Sequence, residues 1–185
     1  MEDAATPVAH IEAELRKRTE AVCGKNNVHP RPIILRVQYK YCANLTVIDT
    51  PGFRKAEKDP LGPKILSMVQ KLMEKKSRII VALEQSTVEW CNTQVRPMVQ
   101  QVDPNFTRTV FITTKFNNRC NQFKNRDEVE PYLQTDGHVN VAQTPVFFMS
   151  LPSGPDAREL NPEEFYEAVC NTYLQDYRSL LKLKR

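Results

Sequence analysis

A β-branched, apolar run ends in an aspartate and a Pro-Gly turn at Leu45-Thr46-Val47-Ile48-Asp49-Thr50-Pro51-Gly52. The run predicts a buried strand over Leu45–Ile48 that places Asp49 at its carboxyl end. A carboxylate in that position can hold Mg²⁺ through a water molecule. Because Gly52 carries no Cβ, its backbone N–H can approach a terminal phosphate closely. The stretch is therefore typical of proteins that sense the γ-phosphate of a nucleoside triphosphate.

A phosphate-cradling loop is missing from the sequence, since none of its five glycines is followed by Lys-Ser or Lys-Thr. The segment Cys23-Gly24-Lys25-Asn26 is only superficially similar, because it lacks the earlier glycine and ends in Asn26 instead of a Mg²⁺-binding hydroxyl. The amides and lysine of such a loop, together with Mg²⁺, supply most of the charge stabilisation in phosphoryl transfer. We therefore expect no useful turnover from this polypeptide alone.

The composition is that of an ordinary globular protein, with 185 residues of which 41% are apolar and 26% charged. This length suits one α/β domain with a real core. The net charge of +4 is mild, and no basic patch with interleaved aromatic residues predicts DNA or RNA binding. Five scattered cysteines without C-x-x-C spacing favour reduced packing residues over disulfides or a zinc site. With no signal-peptide pattern at the N-terminus, we expect a cytoplasmic protein.

Strand and helix signals alternate along the chain, which predicts an α/β fold with a mostly parallel sheet flanked by helices. The predicted strands are Ile33–Tyr39, Leu45–Ile48, Arg78–Leu83, Thr107–Thr113 and Pro145–Ser150. The predicted helices are Ala9–Ala21, Lys64–Lys76, Glu89–Val102, Asp127–Gln134 and a closing helix. We expect Pro97 to weaken or bend the third of these helices. The closing helix has Asn161 as its N-cap and Pro162 in its first turn.

A second polar cluster follows the predicted strand Thr107–Thr113, at Thr114-Lys115-Phe116-Asn117. Because parallel strands bring their carboxyl ends to one edge of the sheet, we expect this cluster and the Asp49 corner to share that edge. The aliphatic stem of Lys115 can lie over a purine, and Asn117 can face its Watson–Crick edge. Ser150 ends the next strand, where backbone groups can cap the base carbonyl. These three ordered pieces predict a purine nucleotide site.

The order and spacing of these motifs resemble the GTPase domain of the dynamin superfamily. The matching segments are Leu45–Gly52, Arg78–Leu83, Gln101–Pro104 and Arg108–Lys115. Two further stretches, Val37–Thr46 and Ser150–Gly154, resemble the plant and algal dynamin-related proteins of plastid division and cytokinesis.

This resemblance implies a P-loop GTPase-like fold, N-terminally truncated, in which residues 1–160 are a partial GTPase domain. Residues 161–185 would be a helix that packs on the domain or leads toward a stalk. The implied ligands are GTP and Mg²⁺, and the implied partners are other copies of the protein and a membrane contacted by parts outside this chain. The implied location is cytoplasmic, at the surface of a dividing organelle or at the division plane.

The resemblance also implies a role for each matching residue. Asp49 would assist Mg²⁺ through a water, while Thr50 and Gly52 would lie at the γ-phosphate, where Gly52 helps to place the attacking water. The segment Arg54–Pro63 would be the mobile switch. The base would be held by Thr114, Lys115, Asn117 and Ser150.

Two features depart from the family pattern. The family's phosphate-binding loop and first-switch threonine lie upstream of the position of His10. Asn117 stands where the family has aspartate, whose carboxylate accepts both N1–H and N2–H₂ of guanine, whereas an amide accepts one and presents a donor to the other. Such a mismatch costs about 1–3 kcal/mol, so we expect weaker guanine preference and a better fit to xanthine. Asn118 could take over the role if the loop is re-registered.

Two interpretations of function stay open. In the first, the chain is part of a dynamin-like large GTPase whose parent protein binds and hydrolyses GTP to drive membrane fission or organelle division. In the second, it is a non-hydrolysing pseudo-GTPase that keeps the α/β scaffold as a binding or assembly surface. Titration with fluorescent GTP and XTP discriminates between a retained nucleotide site and an empty one.

Overall fold

The structure, a computed structural model, describes residues 7, 10–24, 27–38, 40, 43–54, 59–134, 144, 146–154, 157 and 159–183. The chain forms two compact units, residues 1–72 and 73–185, and each is considered by itself. Parts of the predicted segments lie outside the described residues, namely Ala9, Tyr39, Lys55–Lys58 and Pro145.

Among the described residues of the first unit, two form helices: α1 (Ile11–Cys23) and α2 (Gly62–Met73), the second of which ends at the unit boundary. Both were predicted, with ends that differ by a few residues. Ion pairs between residues four apart support α1, an exposed one at 3.1 Å for Glu12–Arg16 and a half-buried one at 2.8 Å for Glu14–Arg18. Ahead of α2, the Asp59 carboxylate accepts hydrogen bonds from the Leu61 amide at 2.9 Å and from Arg54 at 2.6 Å.

The predicted strands Ile33–Tyr39 and Leu45–Ile48 are wrong for the described residues of both segments, which adopt no strand. Most of their described apolar side chains are exposed, with Leu45 and Val47 each 76% accessible. A strand is stable only when its backbone groups pair with a neighbour. The sheet that the structure describes consists of three later strands, so these two apolar runs have no ladder to join there.

The second unit contains a parallel sheet of β1 (Ile80–Gln85), β2 (Thr109–Thr114) and β3 (Val146–Phe148), in that order. Gln85 pairs with Thr114, and Thr113 pairs with Phe148, so the carboxyl ends of the strands lie side by side. The predicted α/β class with a parallel sheet is therefore confirmed, and these strands correspond to the last three predicted ones.

In the part of the second unit that the structure describes, four helices accompany this sheet: α3 (Val95–Val102), α4 (Phe116–Cys120), α5 (Val129–Leu133) and α6 (Pro162–Leu181). The predicted helix Glu89–Val102 begins only at Val95, so Pro97 lies in its first turn, where a missing N–H costs little. A 3₁₀ turn at Trp90–Asn92 precedes it, and another at Arg126–Glu128 precedes α5. The predicted Asn161 cap of α6 is confirmed as a capping box with Glu164.

One face of the sheet is buried and the opposite face is open. On the buried face lie Ile80, Ala82 and Glu84 of β1, and Thr109, Phe111 and Thr113 of β2. Their exposed counterparts include Val81, Leu83 and Phe147, each more than half accessible. A second apolar cluster combines Phe116, Cys120, Phe123 and Val129 with Tyr132, Phe148, Leu180 and Leu183. This cluster ties α4, α5 and α6 to the end of β3.

Candidate functional site

The residues predicted to hold a base converge in the second unit, at the carboxyl ends of β2 and β3. Thr114 is the last residue of β2, Lys115 precedes α4, and Asn117 lies in its first turn. Ser150 follows β3 by two residues. Lys115 adopts a left-handed conformation with φ of 56°, which turns the chain sharply between strand and helix. We call residues 114–118 the base loop.

The end of β1 holds the base loop from one side. The Ser86 hydroxyl donates to the Lys115 carbonyl oxygen at 2.7 Å, and the Ser86 amide donates to the Thr114 carbonyl oxygen at 2.9 Å. In return, the Thr114 hydroxyl donates to the Glu84 carbonyl oxygen at 2.9 Å. These bonds fix the left-handed turn at Lys115 while its side chain stays exposed.

The segment after β3 holds the base loop from the other side. The backbone N–H of Asn117 donates to the Ser150 hydroxyl oxygen at 2.7 Å, and the backbone N–H of Phe116 donates to the Met149 carbonyl oxygen at 3.3 Å. The Ser150 hydroxyl in turn donates to Asp176 of α6 at 2.5 Å. Ser150 and Asp176 are both buried, whereas Asn117 is half-buried. The predicted proximity of Asn117 and Ser150 is thus present as a direct hydrogen bond.

Aromatic rings pack around Phe116 of the base loop. The Tyr132 ring is within 6.5 Å of the Phe116 ring and 5.5 Å of the Phe148 ring, measured between centroids. Burial raises the pKa of the Tyr132 hydroxyl to about 12, so the hydroxyl stays protonated at neutral pH. It donates to the Ser86 carbonyl oxygen at 3.0 Å. Tyr132 therefore holds Ser86, the residue whose hydrogen bond holds Lys115.

A buried ion pair lies behind β1. Arg96 Nε donates to both carboxylate oxygens of Glu84, at 3.1 and 3.0 Å. The guanidinium lies between two aromatic rings, 4.1 Å from the centroid of Trp90 and 4.7 Å from that of Phe111. Its Nη1 and Nη2 atoms are buried and have no hydrogen-bond partner among the described residues. Since these atoms are not accessible, the pair serves the core and offers no binding surface.

The predicted phosphate-side residues Asp49, Thr50 and Gly52 lie together in the first unit, in the segment 43–54. Asp49 and Gly52 are exposed, and a Cβ added at Gly52 meets no described atom within 4 Å. An exposed carboxylate with a neighbouring hydroxyl is the kind of oxygen donor set that Mg²⁺ accepts while it keeps several waters. The residues therefore fit the predicted ion. The roles of these three residues stay predictions.

The comparison with known proteins decides the family. Residues 1–116 match the profile described as "Dynamin family". The chain belongs to the dynamin family. It is 44% identical to Dynamin-like protein C of Dictyostelium discoideum over 98% of this chain and 20% of that protein. It is 37% identical to Dynamin-related protein 5A of Arabidopsis thaliana over 95% of this chain and 22% of that protein. The chain thus spans about a fifth of the length of these dynamin relatives.

Dynamin-2 of Homo sapiens matches a shorter part, with 30% identity over 60% of this chain and 13% of that protein. The sequence-based resemblance to the dynamin superfamily is therefore confirmed, and the P-loop GTPase-like fold class with it. The match to an Arabidopsis thaliana protein agrees with the predicted resemblance to plant dynamin-related proteins. The roles of the individual site residues stay predictions.

Two residues that hold the base loop of this dynamin-family chain were missed by sequence reasoning, Ser86 and Asp176. Ser86 carries no local signal, because its partner Lys115 is 29 residues away. Asp176 does carry a local signal, because its spacing places an acid on the same inner face of α6 as two apolar residues. Val169 lies seven residues before it and Leu180 lies four residues after it. By contrast, Tyr173 and Tyr177 of the same helix are exposed.

Other candidate chemistry in the dynamin-family chain can be set aside. Burial, together with the nearby charge of Asp176, raises the pKa of the Cys120 thiol to about 12, so this cysteine is a packing residue and not a nucleophile. Within the described ranges, no group of three or more His, Cys, Asp or Glu side chains is arranged to bind a metal ion. None of the helices that the structure describes has the length and apolarity needed to cross a bilayer.

Proposed function

We propose that this chain supplies the base-binding part and the γ-phosphate-sensing corner of a GTP-binding domain. The observation that carries the proposal is the base loop itself. In a dynamin-family chain, Lys115 and Asn117 are held at the carboxyl edge of a parallel sheet, with the Asn117 amide bonded to Ser150. Ligands of open α/β sheets bind at this edge.

In the proposed complex the aliphatic stem of Lys115 covers one face of the purine. The side chain of Asn117 meets the Watson–Crick edge, and the backbone around Ser150 caps the base carbonyl. The exposure of Lys115 and the half-burial of Asn117 support this arrangement, because hydrogen bonds hold the backbone of both residues while neither residue is fully buried. The side-chain carboxamide of Asn117 lowers the preference for guanine over xanthine.

On the phosphate side, Asp49 would hold Mg²⁺ through a water molecule, and the Gly52 backbone N–H would donate to the γ-phosphate. Bound Mg²⁺ would neutralise the charge that develops during phosphoryl transfer. Thr50 lies with them at the γ-phosphate. For the whole protein we propose GTP hydrolysis coupled to membrane fission or organelle division, with self-assembly of GTPase domains. The proposed location is the cytoplasmic surface of a dividing organelle or the division plane.

An NMR titration of the chain with GTP, XTP and ATP into the millimolar range tests the base site. We expect GTP and XTP to shift the backbone signals of Lys115, Asn117 and Leu151 more than those of residues on α1. Lys115→Ala should abolish these shifts. Lys124→Ala is the matched control, because it removes another exposed lysine from the same unit and should leave the titration unchanged.

Absence of saturable shifts in a folded chain, or equal loss in the two lysine variants, would contradict the proposal. Phosphate release measured in parallel addresses hydrolysis, for which we expect no turnover by this polypeptide alone. Tight nucleotide binding by a longer dynamin-family polypeptide that still releases no phosphate would favour the pseudo-GTPase alternative.

A further inference from the structure

The contact between Asp176 and Ser150 has only one possible polarity. The Ser150 hydroxyl donates its proton to a carboxylate oxygen of Asp176, since its acceptor side is taken by the backbone N–H of Asn117. The lone pairs of the hydroxyl are then turned toward the Asn117 amide, which donates to them at 2.7 Å. Asp176 therefore sets the direction of a two-bond chain that runs from α6 through Ser150 to the base loop.

The surroundings of Asp176 show that packing alone does not call for an acid. It is buried on the face of α6 that carries Leu180, and α6 packs against α4, which contains Asn117. Burial of a carboxylate opposes folding unless the group is well bonded. Even a fully paired buried charge is weak evidence for a gain in stability, because replacing a whole buried ion pair by apolar side chains is often neutral or stabilising. An acid at this position thus contributes direction to the Ser150 hydroxyl more than stability to the helix.

We propose that Asp176 is a positioning residue for nucleotide recognition, acting through Ser150 on the backbone of Asn117. This inference rests on the proposed function, because it assigns the base loop the task of reading a purine. Asp176 does not touch the base. It fixes the backbone from which the Asn117 side chain projects, so its loss lets the base-reading group move and lowers discrimination among purine nucleotides.

The test uses Asp176→Leu, Asp176→Asn and Ser150→Ala in the full chain, with Glu167→Gln as a matched control on the exposed face of α6. The first measurement is hydrogen exchange of the Asn117 backbone N–H, which reports the hydrogen bond between Asn117 and Ser150 without any ligand. We expect exchange about tenfold faster in Asp176→Leu and Ser150→Ala, as loss of one hydrogen bond predicts. Asp176→Asn keeps an acceptor oxygen and should restore most of the protection.

The second measurement is the ratio of GTP to ATP affinity. It should fall about tenfold in Asp176→Leu, stay unchanged in Glu167→Gln, and fall no further in the double variant Asp176→Leu/Ser150→Ala, because both changes break the same chain. Wild-type exchange at Asn117 in Asp176→Leu, or additive effects in the double variant, would overturn the inference. If Asp176→Leu does not fold, Asp176→Asn and Ser150→Ala decide by the same readouts.

The two proposals fail separately. A wild-type chain that binds no nucleotide overturns the proposed function, whereas the exchange rate of Asn117 still decides whether Asp176 positions the loop. Conversely, nucleotide binding that is indifferent to Asp176 and Ser150 leaves the proposed function in place and overturns the positioning role.

Discussion

Ser86 and Lys115, 29 residues apart, are joined by a 2.7 Å hydrogen bond from the Ser86 hydroxyl to the Lys115 carbonyl oxygen. Ser86 is 1% exposed and directly follows β1, whereas Lys115 has the left-handed backbone that begins α4. A left-handed conformation costs a non-glycine residue about 1–2 kcal/mol. The Ser86 hydroxyl is one of the groups that offset this cost.

Ser86→Ala should therefore lower the free energy of unfolding by about 1–3 kcal/mol, because it leaves the Lys115 carbonyl without its donor. Urea denaturation measures the change. Ser153→Ala, an exposed serine of the same unit, should change the stability by less than about 0.5 kcal/mol. Equal midpoints for the two variants would show that the bond does not support the turn.

Asn117→Asp should raise the preference for GTP over XTP. The carboxylate accepts both N1–H and N2–H₂ of guanine, whereas the amide can accept from only one of them. Correcting one mismatched hydrogen bond is worth about 1–3 kcal/mol, which corresponds to a roughly 5- to 150-fold change in the affinity ratio. Competition titrations with the two nucleotides measure it. If Asn118→Asp gives the larger effect instead, the loop reads the base from the neighbouring position.

The Glu84–Arg96 pair should be far more important to stability than exposed pairs of the same unit. Glu84→Gln leaves the buried guanidinium without a countercharge, and breaking a buried pair costs about 3–5 kcal/mol. Glu84→Gln combined with Arg96→Met should recover part of the loss, since the aromatic rings on both sides can pack against an apolar chain. Glu89→Gln is the control, because Glu89 is 62% exposed in its 3.6 Å pair with Arg119 and should cost less than about 1 kcal/mol.

Asp103 should make the fold sensitive to acid. Burial raises the pKa of this carboxyl. Hydrogen bonds from the Thr109 hydroxyl, the Arg108 backbone N–H, and the hydroxyl and backbone N–H of Thr107 outweigh that effect and lower the pKa below its usual value. A lowered folded-state pKa contributes stability that is present above the unfolded-state pKa, about 3.9, and is lost as the pH falls through the folded-state pKa. Asp103→Asn should flatten this acid limb in urea unfolding measured between neutral and acidic pH. Exposed Asp127→Asn should leave it unchanged.

The sequence predicts those parts of the fold that are decided by local chemistry. The start of α6 can be predicted because its capping groups lie within one turn of each other, at Asn161, Pro162 and Glu164. The three strands of the sheet are found because β-branched runs alternate with helices. The end of each strand then places Lys115 and Ser150 at one edge, which explains why half of the candidate site could be anticipated.

What the sequence does not reveal depends on partners that are distant along the chain. Leu45–Ile48 has the composition of a strand, yet pairing decides whether it becomes one, and the described sheet leaves it unpaired. Arg96 reads as an ordinary polar residue of an amphipathic helix, although it is buried between Trp90 and Phe111. Long-range hydrogen bonds such as Asp176 to Ser150 depend on tertiary packing that no local pattern specifies.

The open face of the sheet should make the isolated chain self-associate. Leu83 and Phe147 are 59% and 57% exposed, and register places them in one row with Ile112. A contiguous apolar row in water favours association. Leu83→Lys should therefore lower the sedimentation-derived association constant while the melting temperature stays near that of the wild type. Ala82→Lys, its neighbour on the buried face, is the matched contrast, because side chains alternate along a strand and a lysine there should prevent folding. If Leu83→Lys unfolds the chain as Ala82→Lys does, the face is covered in solution.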